Sequence, residues 1–154
     1  MIQDLAQYDL LQLIAGETWP EQEQAKVVIQ FSRALSGFVA EKLNPYFKDE
    51  DTEELKKLLA RKDLTPNEVI DFYKSKVPNL EETFGNFILE FKKMFLLMVY
   101  NGKIKELESK IPSIQDEDIN TMETNTLKSW KQILEFAKRD DWDKAQQVLA
   151  VIPR

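Results

Sequence analysis

Residues 80–100 read LEETFGNFILEFKKMFLLMVY, and this stretch decides the fold class. Leu80, Phe84, Phe87, Ile88, Phe91, Phe95 and Met98 recur at three- and four-residue intervals, the spacing that lays side chains along one face of an α-helix. A strand would place apolar side chains at every second position, and this run does not. From Met94 to Tyr100 the stretch is apolar on every side, which predicts a helix surrounded by protein there. The segment is too short to span a bilayer, and Lys92, Lys93 and Lys103 flank it. Asn101-Gly102 is expected to end or kink the helix, with Lys103 to Lys110 continuing as a charged turn or two.

Helical spacing extends in both directions. Upstream, Leu5, Tyr8, Leu11 and Ile14 suggest a short first helix closed by Gly16. Thr18 and Glu21 have the spacing of a capping box, and the helix after them carries Val28, Phe31, Leu35, Phe38 and Val39 on one face until Asn44-Pro45 ends it. Asp49 to Asp51 suit a helix N-terminus, with Leu55, Leu58 and Leu59 as the apolar side. Thr65-Pro66-Asn67-Glu68 starts another helix, faced by Val69, Ile70, Phe72 and Tyr73. Val77-Pro78 breaks it, and Asn79 with Glu82 reads as a third cap. Downstream, Ile111-Pro112-Ser113 is the best internal boundary. Past it, Met122, Leu127, Trp130, Leu134 and Ala137 mark one helix, and Ala145, Val148, Leu149 and Ile152 mark another behind Asp140-Asp141. The expectation is an all-α bundle of six to seven helices: a short helix in 1–16, a helical domain in 17–111 and an αα-hairpin in 113–154.

Composition narrows the chemistry. The chain has 154 residues, no cysteine and no histidine, which removes thiolate sites, disulfides, cysteine nucleophiles and the commonest general base and metal ligand. The formal charge is −6, and no segment is basic enough to track phosphates, so neither nucleic acid nor an anionic membrane is an expected partner. The first residues, Met1-Ile2-Gln3-Asp4, lack a basic and then apolar leader, and the expected location is cytoplasmic.

The stretch from Trp19-Pro20-Glu21 to about Phe95 resembles a family of small uncharacterised helical domains of candidate-phylum bacteria. The resemblance rests on Pro20-Glu21, the long helix to Leu43, the acidic Asp49-Glu50-Asp51, and the run from Val69 through Asp71, Phe72, Tyr73 and Lys76 to Asn79. It implies a helical fold and a bacterial, intracellular setting, and no catalytic residue or cofactor. From Phe95 onward the chain is more apolar than that pattern.

Carboxylates are the best remaining basis for chemistry. Glu50-x-x-Glu53 and Glu68-x-x-Asp71 place acid pairs on two neighbouring helices, the arrangement that holds Mg²⁺ in all-α nucleoside-triphosphate pyrophosphohydrolases of the MazG type. By helical angle, however, both pairs point away from the apolar faces. Asp140-Asp141-Trp142-Asp143 reads better as a helix cap than as a ligand cluster. Lys56-Lys57 with Arg61-Lys62 reads as a solvated face. The Met94–Tyr100 run has two readings, burial under the C-terminal hairpin or an interface with a partner or a second copy.

The leading functional expectation is therefore a protein-interaction module without catalysis or cofactor. It would bind a protein partner or itself through Phe95, Leu96, Leu97, Val99, Tyr100 and Trp142. The alternatives are the Mg²⁺ enzyme at Glu50, Glu53, Glu68 and Asp71, and an acidic inhibitor of a nucleic-acid-binding enzyme.

Overall fold

A computed structural model describes residues 1–154 as an all-α protein, 81% helical and without strands. Seven α-helices succeed one another: α1 (Leu10–Leu13), α2 (Glu21–Leu43), α3 (Asp49–Leu59), α4 (Pro66–Lys76), α5 (Leu80–Lys110), α6 (Glu117–Lys138) and α7 (Trp142–Val151). Short 3-10 turns lie at Ile2–Gln7, Asn44–Tyr46 and Ile111–Ser113. No helix is long and apolar enough to cross a membrane. The chain forms two compact units, one from Met1–Ser32 with Leu89–Arg154, the other from Arg33–Ile88. This grouping cuts across the three-part division expected from sequence. The N-terminal residues, the second half of α5 and the C-terminal hairpin share one unit.

That larger unit is built on the α6–α7 hairpin. Trp130, Ile133, Leu134 and Ala137 of α6 and Trp142, Ala145 and Leu149 of α7 are buried at helical spacing. Asp116 opens α6, its Oδ1 accepting from the Asp118 and Ile119 amides at 2.9 and 3.1 Å. The hairpin turn is a Schellman closure: the Asp141 amide donates to the Phe136 carbonyl at 2.9 Å and the Asp140 amide to Ala137 at 3.1 Å, with Asp140 left-handed at φ 58.

The N-terminal residues belong to this core rather than standing in front of it. Leu5 and Leu13 are fully buried with Leu96, Tyr100 and Trp142. Their short helical turns expose carbonyls that have no partner of their own. Side chains of α5 supply the donors. Lys92 Nζ donates to the Leu5 and Tyr8 carbonyls at 2.9 and 2.5 Å, and Tyr100 Oη donates to the Leu13 carbonyl at 2.6 Å. Burial holds Lys92 below the usual lysine range and pushes Tyr100 far above the usual tyrosine range, so the Tyr100 hydroxyl keeps its proton and remains a donor. The neighbouring Lys93 ties α5 to the hairpin turn through Asp140 at 2.9 Å.

Four details differ from the expectations based on sequence. The left-handed residue closing α1 is Ala15 (φ 55), and Gly16 comes after it, its amide donating to the Leu11 carbonyl at 2.8 Å. Gly16 also packs closely, since a Cβ there would lie 3.0 Å from the Trp19 ring and the ring would have to give way. Thr18 is not a cap, because α2 begins at Glu21. The Gln24 side chain instead donates to the Glu17 and Trp19 carbonyls. Asn79 has φ 49 instead of the extended backbone of an N-cap. Asn101-Gly102 does not end α5, which runs unbroken to Lys110, about 46 Å at 1.5 Å per residue.

In the smaller unit, Leu43, Val77 and Leu80 form the buried centre, flanked by Val39, Phe47, Tyr73, Phe84 and Phe87. Phe47 stacks on Phe72 at 6.1 Å and meets Tyr73 edge-on, and Tyr73 meets Phe84 at 6.5 Å. The α4 start agrees with the sequence: Thr65 caps the helix, accepting from the Glu68 amide at 3.4 Å, and Pro66 is its first residue.

Replacing Tyr100 with Phe removes one hydroxyl and strands the buried Leu13 carbonyl. The expected loss is about 1–3 kcal/mol of unfolding free energy with an unchanged denaturant slope. Urea unfolding checks this, and unaltered stability would show that the hydrogen bond does not hold the N-terminal turns.

Candidate interaction surface

The structure splits the Met94–Tyr100 segment by face. Leu96 and Tyr100, with Ile104 beyond, are buried in the core of the larger unit. Phe95, Leu97 and Val99 are half-buried, and Met94 and Met98 are 53% and 62% exposed. The expectation of a helix enclosed on every side is corrected. At about 100° per residue, 94 and 98 lie across the helix from 96 and 100, and the core of this unit covers one side only. Leu96, Tyr100 and Trp142 are likewise removed from the candidate contact surface, because fully buried side chains offer a partner nothing to touch. Phe95 remains at an edge, its ring 5.2 Å from Phe31.

The acid pairs do not converge. Glu50 and Glu53 are exposed on α3, and Glu53 pairs with Lys56 at 3.4 Å within its own helix. Glu68 pairs with Arg61 at 2.8 Å, and Asp71 is exposed on α4. No group of three acids is placed to hold a metal ion. The contact that joins α3 to α4 uses other residues: Lys76 Nζ lies 2.9 Å from Asp51 and 3.4 Å from Glu54. Asp140, Asp141 and Asp143 also diverge, toward Lys93, Lys144 and the Tyr8 hydroxyl respectively.

What the smaller unit does present is an apolar groove of about 420 Å³. Leu35, Val39 and Leu43 of α2 form one wall, with Ser36 and Ala40 beside them. Tyr73 of α4 and Phe84 and Ile88 of α5 complete it. No charged side chain lines it. Ile88 remains 41% exposed, although its stripe on α5 reads as core. Sequence reasoning assigned Leu35, Val39, Phe84 and Ile88 to helix faces and missed the groove between them. The available signal was the small pair Ser36 and Ala40 next to the apolar face of α2, since small side chains leave a neighbouring face uncovered.

No family model, curated protein or solved structure matches the chain.

The ionised Asp51 carboxylate holds both the start of α3 and its contact with α4. The Asp51 carboxyl is held below the usual range by the Lys48 backbone amide and by Lys76. A folded pKa below the unfolded value contributes stability that is present above the unfolded pKa of roughly 3.9 and is lost as pH falls through the folded one. Asp51→Asn should therefore flatten the acid limb of the stability curve below about pH 5. Thermal midpoints from pH 7 to pH 3 check this, and parallel curves for the two proteins would remove Asp51 from the acid response. The same midpoints should be indifferent to millimolar Mg²⁺, whereas a rise with Mg²⁺ that Glu50→Gln/Asp71→Asn abolishes would restore the metal site.

Proposed function

We propose that the protein is an interaction module that seats an amphipathic helix of a partner protein in the groove formed by α2, α4 and α5 of the smaller unit. The supporting observation is the uncharged lining of Leu35, Val39, Leu43, Tyr73, Phe84 and Ile88, left open in a unit whose own core is slight. An apolar groove gains affinity by burying apolar area, at roughly 25 cal/mol per Å² before the costs of association. The groove is framed by helices, whose backbone groups are already paired, so an added strand would find no ladder to join. A helix presenting anchors at i, i+3 or i+4, and i+7 suits it. The net charge of −6 favours a partner helix with a basic polar face, attracted at long range and less so at high salt. That the acid pairs do not converge supports this reading over the Mg²⁺ enzyme.

The chain has no native cysteine, which makes the test direct. Ala40→Cys carrying a benzophenone should give one discrete cross-linked adduct in an extract of the source cells. Excess unlabelled wild-type chain should compete for that adduct, and Val39→Asp should compete at least tenfold more weakly. Absence of a discrete adduct, or equal competition by both chains, would count against the groove. An adduct of twice the chain's own mass would replace the foreign partner with a second copy.

A further inference from the structure

A second concavity lies in the larger unit, where α5 and α6 meet the turn after α1. It measures about 320 Å³, near the lower end of the ~300–1,000 Å³ typical of small-molecule sites. Trp130, Leu107 and Ile14 form apolar walls, and Trp19 lines one side. These walls belong to well-held parts of the structure. Trp130 is buried with its ring 5.9 Å from that of Tyr100, and the Trp19 ring rests so close to Gly16 that a Cβ there would meet it.

The charges around the crevice are unequally satisfied. Lys110 is neutralised by Glu123 at 3.2 Å, and Arg154 by Glu17. Lys103 is half-buried and has only the Trp19 ring for company, its Nζ 5.4 Å from the ring centroid, with no carboxylate in ion-pair reach. Glu106, one turn further along α5, lies at the exposed mouth of the crevice and makes no ion pair, so only Lys103 is partly withdrawn from water. An unpaired cation and an unpaired anion three residues apart, with Cβ atoms roughly 5–6 Å from each other, present opposite charges on one helix face beside an indole-lined hollow. A ligand of one charge would satisfy only one of them. A zwitterion with a compact apolar body satisfies both.

We propose that the Trp19–Lys103–Glu106–Trp130 crevice binds a free α-amino acid with an apolar or aromatic side chain. Its carboxylate would bond to Lys103, its ammonium group to Glu106, and its side chain would pack against the indoles. The site is independent of the groove in the smaller unit.

The three tryptophans make the site observable, because Trp142 is fully buried elsewhere in the same unit and serves as an internal control. Titrating L-phenylalanine into ¹⁵N-labelled protein should move the indole N–H resonances of Trp19 and Trp130 to saturation and leave that of Trp142 in place. Phenylacetate and phenethylamine, each missing one charged group, should bind about tenfold more weakly, the worth of one charge-assisted hydrogen bond. Lys103→Gln and Glu106→Gln should each weaken L-phenylalanine binding by a similar factor, and Lys103→Arg should retain it. Shifts that rise linearly without saturating, equal movement of all three indoles, or unchanged binding in both Gln variants would overturn the proposal.

Discussion

The larger unit depends on a hydrogen-bonding constraint at its N-terminal end. A short helical turn leaves most of its carbonyls without internal partners, and burying them without donors costs about 1–3 kcal/mol each, comparable to what burying a leucine returns. Leu5 and Leu13 can be enclosed because Lys92 and Tyr100, two turns apart on α5, reach the Leu5, Tyr8 and Leu13 carbonyls. Leu96 lies between them on the same face and fills the space under the turns. One face of a single helix thus supplies both the polar and the apolar requirements of residues 1–16. Its donors work because they are unusual for a core: a lysine that keeps its head among carbonyls and a tyrosine whose hydroxyl has one place to go.

The smaller unit has no comparable device. Four of its apolar side chains, Leu43, Phe72, Val77 and Leu80, are buried, whereas Leu59, Ile70 and Ile88 remain substantially exposed. Its cohesion comes from the Phe47–Phe72–Tyr73–Phe84 ring contacts and from Lys76 bridging Asp51 and Glu54. Stability in proteins is distributed unevenly, and segments with few buried contacts open at lower cost. A unit of this kind gains in proportion when further apolar surface is covered. For that reason the open groove on α2, α4 and α5 is the feature on which a binding role rests.

Much of the fold was legible wherever a local chemical rule acts alone. Thr65-Pro66 starts α4, Asn44-Pro45 ends α2, Ile111-Pro112 separates α5 from α6, and the spacing of Trp130, Leu134 and Ala137 and of Ala145, Leu149 and Ile152 defines the hairpin. The readings that failed are those in which a tertiary contact chose between local options. By local rules Gly16 is the natural left-handed residue after α1, but Ala15 takes the left-handed position and Gly16 lies under the Trp19 ring. Thr18 has capping-box spacing, but Gln24 holds that turn. The metal reading used i,i+3 acid pairs that sequence alone places on neighbouring helices. The structure joins their neighbours Asp51 and Glu54 to Lys76, while Glu53 and Glu68 pair with Lys56 and Arg61, and the two acid pairs do not meet.

The misreading of Met94–Tyr100 has the same cause and bears on function. Considered without tertiary contacts, an apolar circumference requires protein on every side. The core of the larger unit takes only the face of Leu96 and Tyr100, and the methionines opposite remain in water. Apolar character around a helix therefore records the sum of its contacts without assigning them to a face. On α5 that sum includes the face of Met94 and Met98, which the core of the larger unit leaves exposed. Exposed apolar surface on this protein is thus found by subtracting the contacts the fold consumes from the apolar pattern the sequence displays. What survives that subtraction is Met94 and Met98 in one unit and the Val39–Ile88 groove in the other.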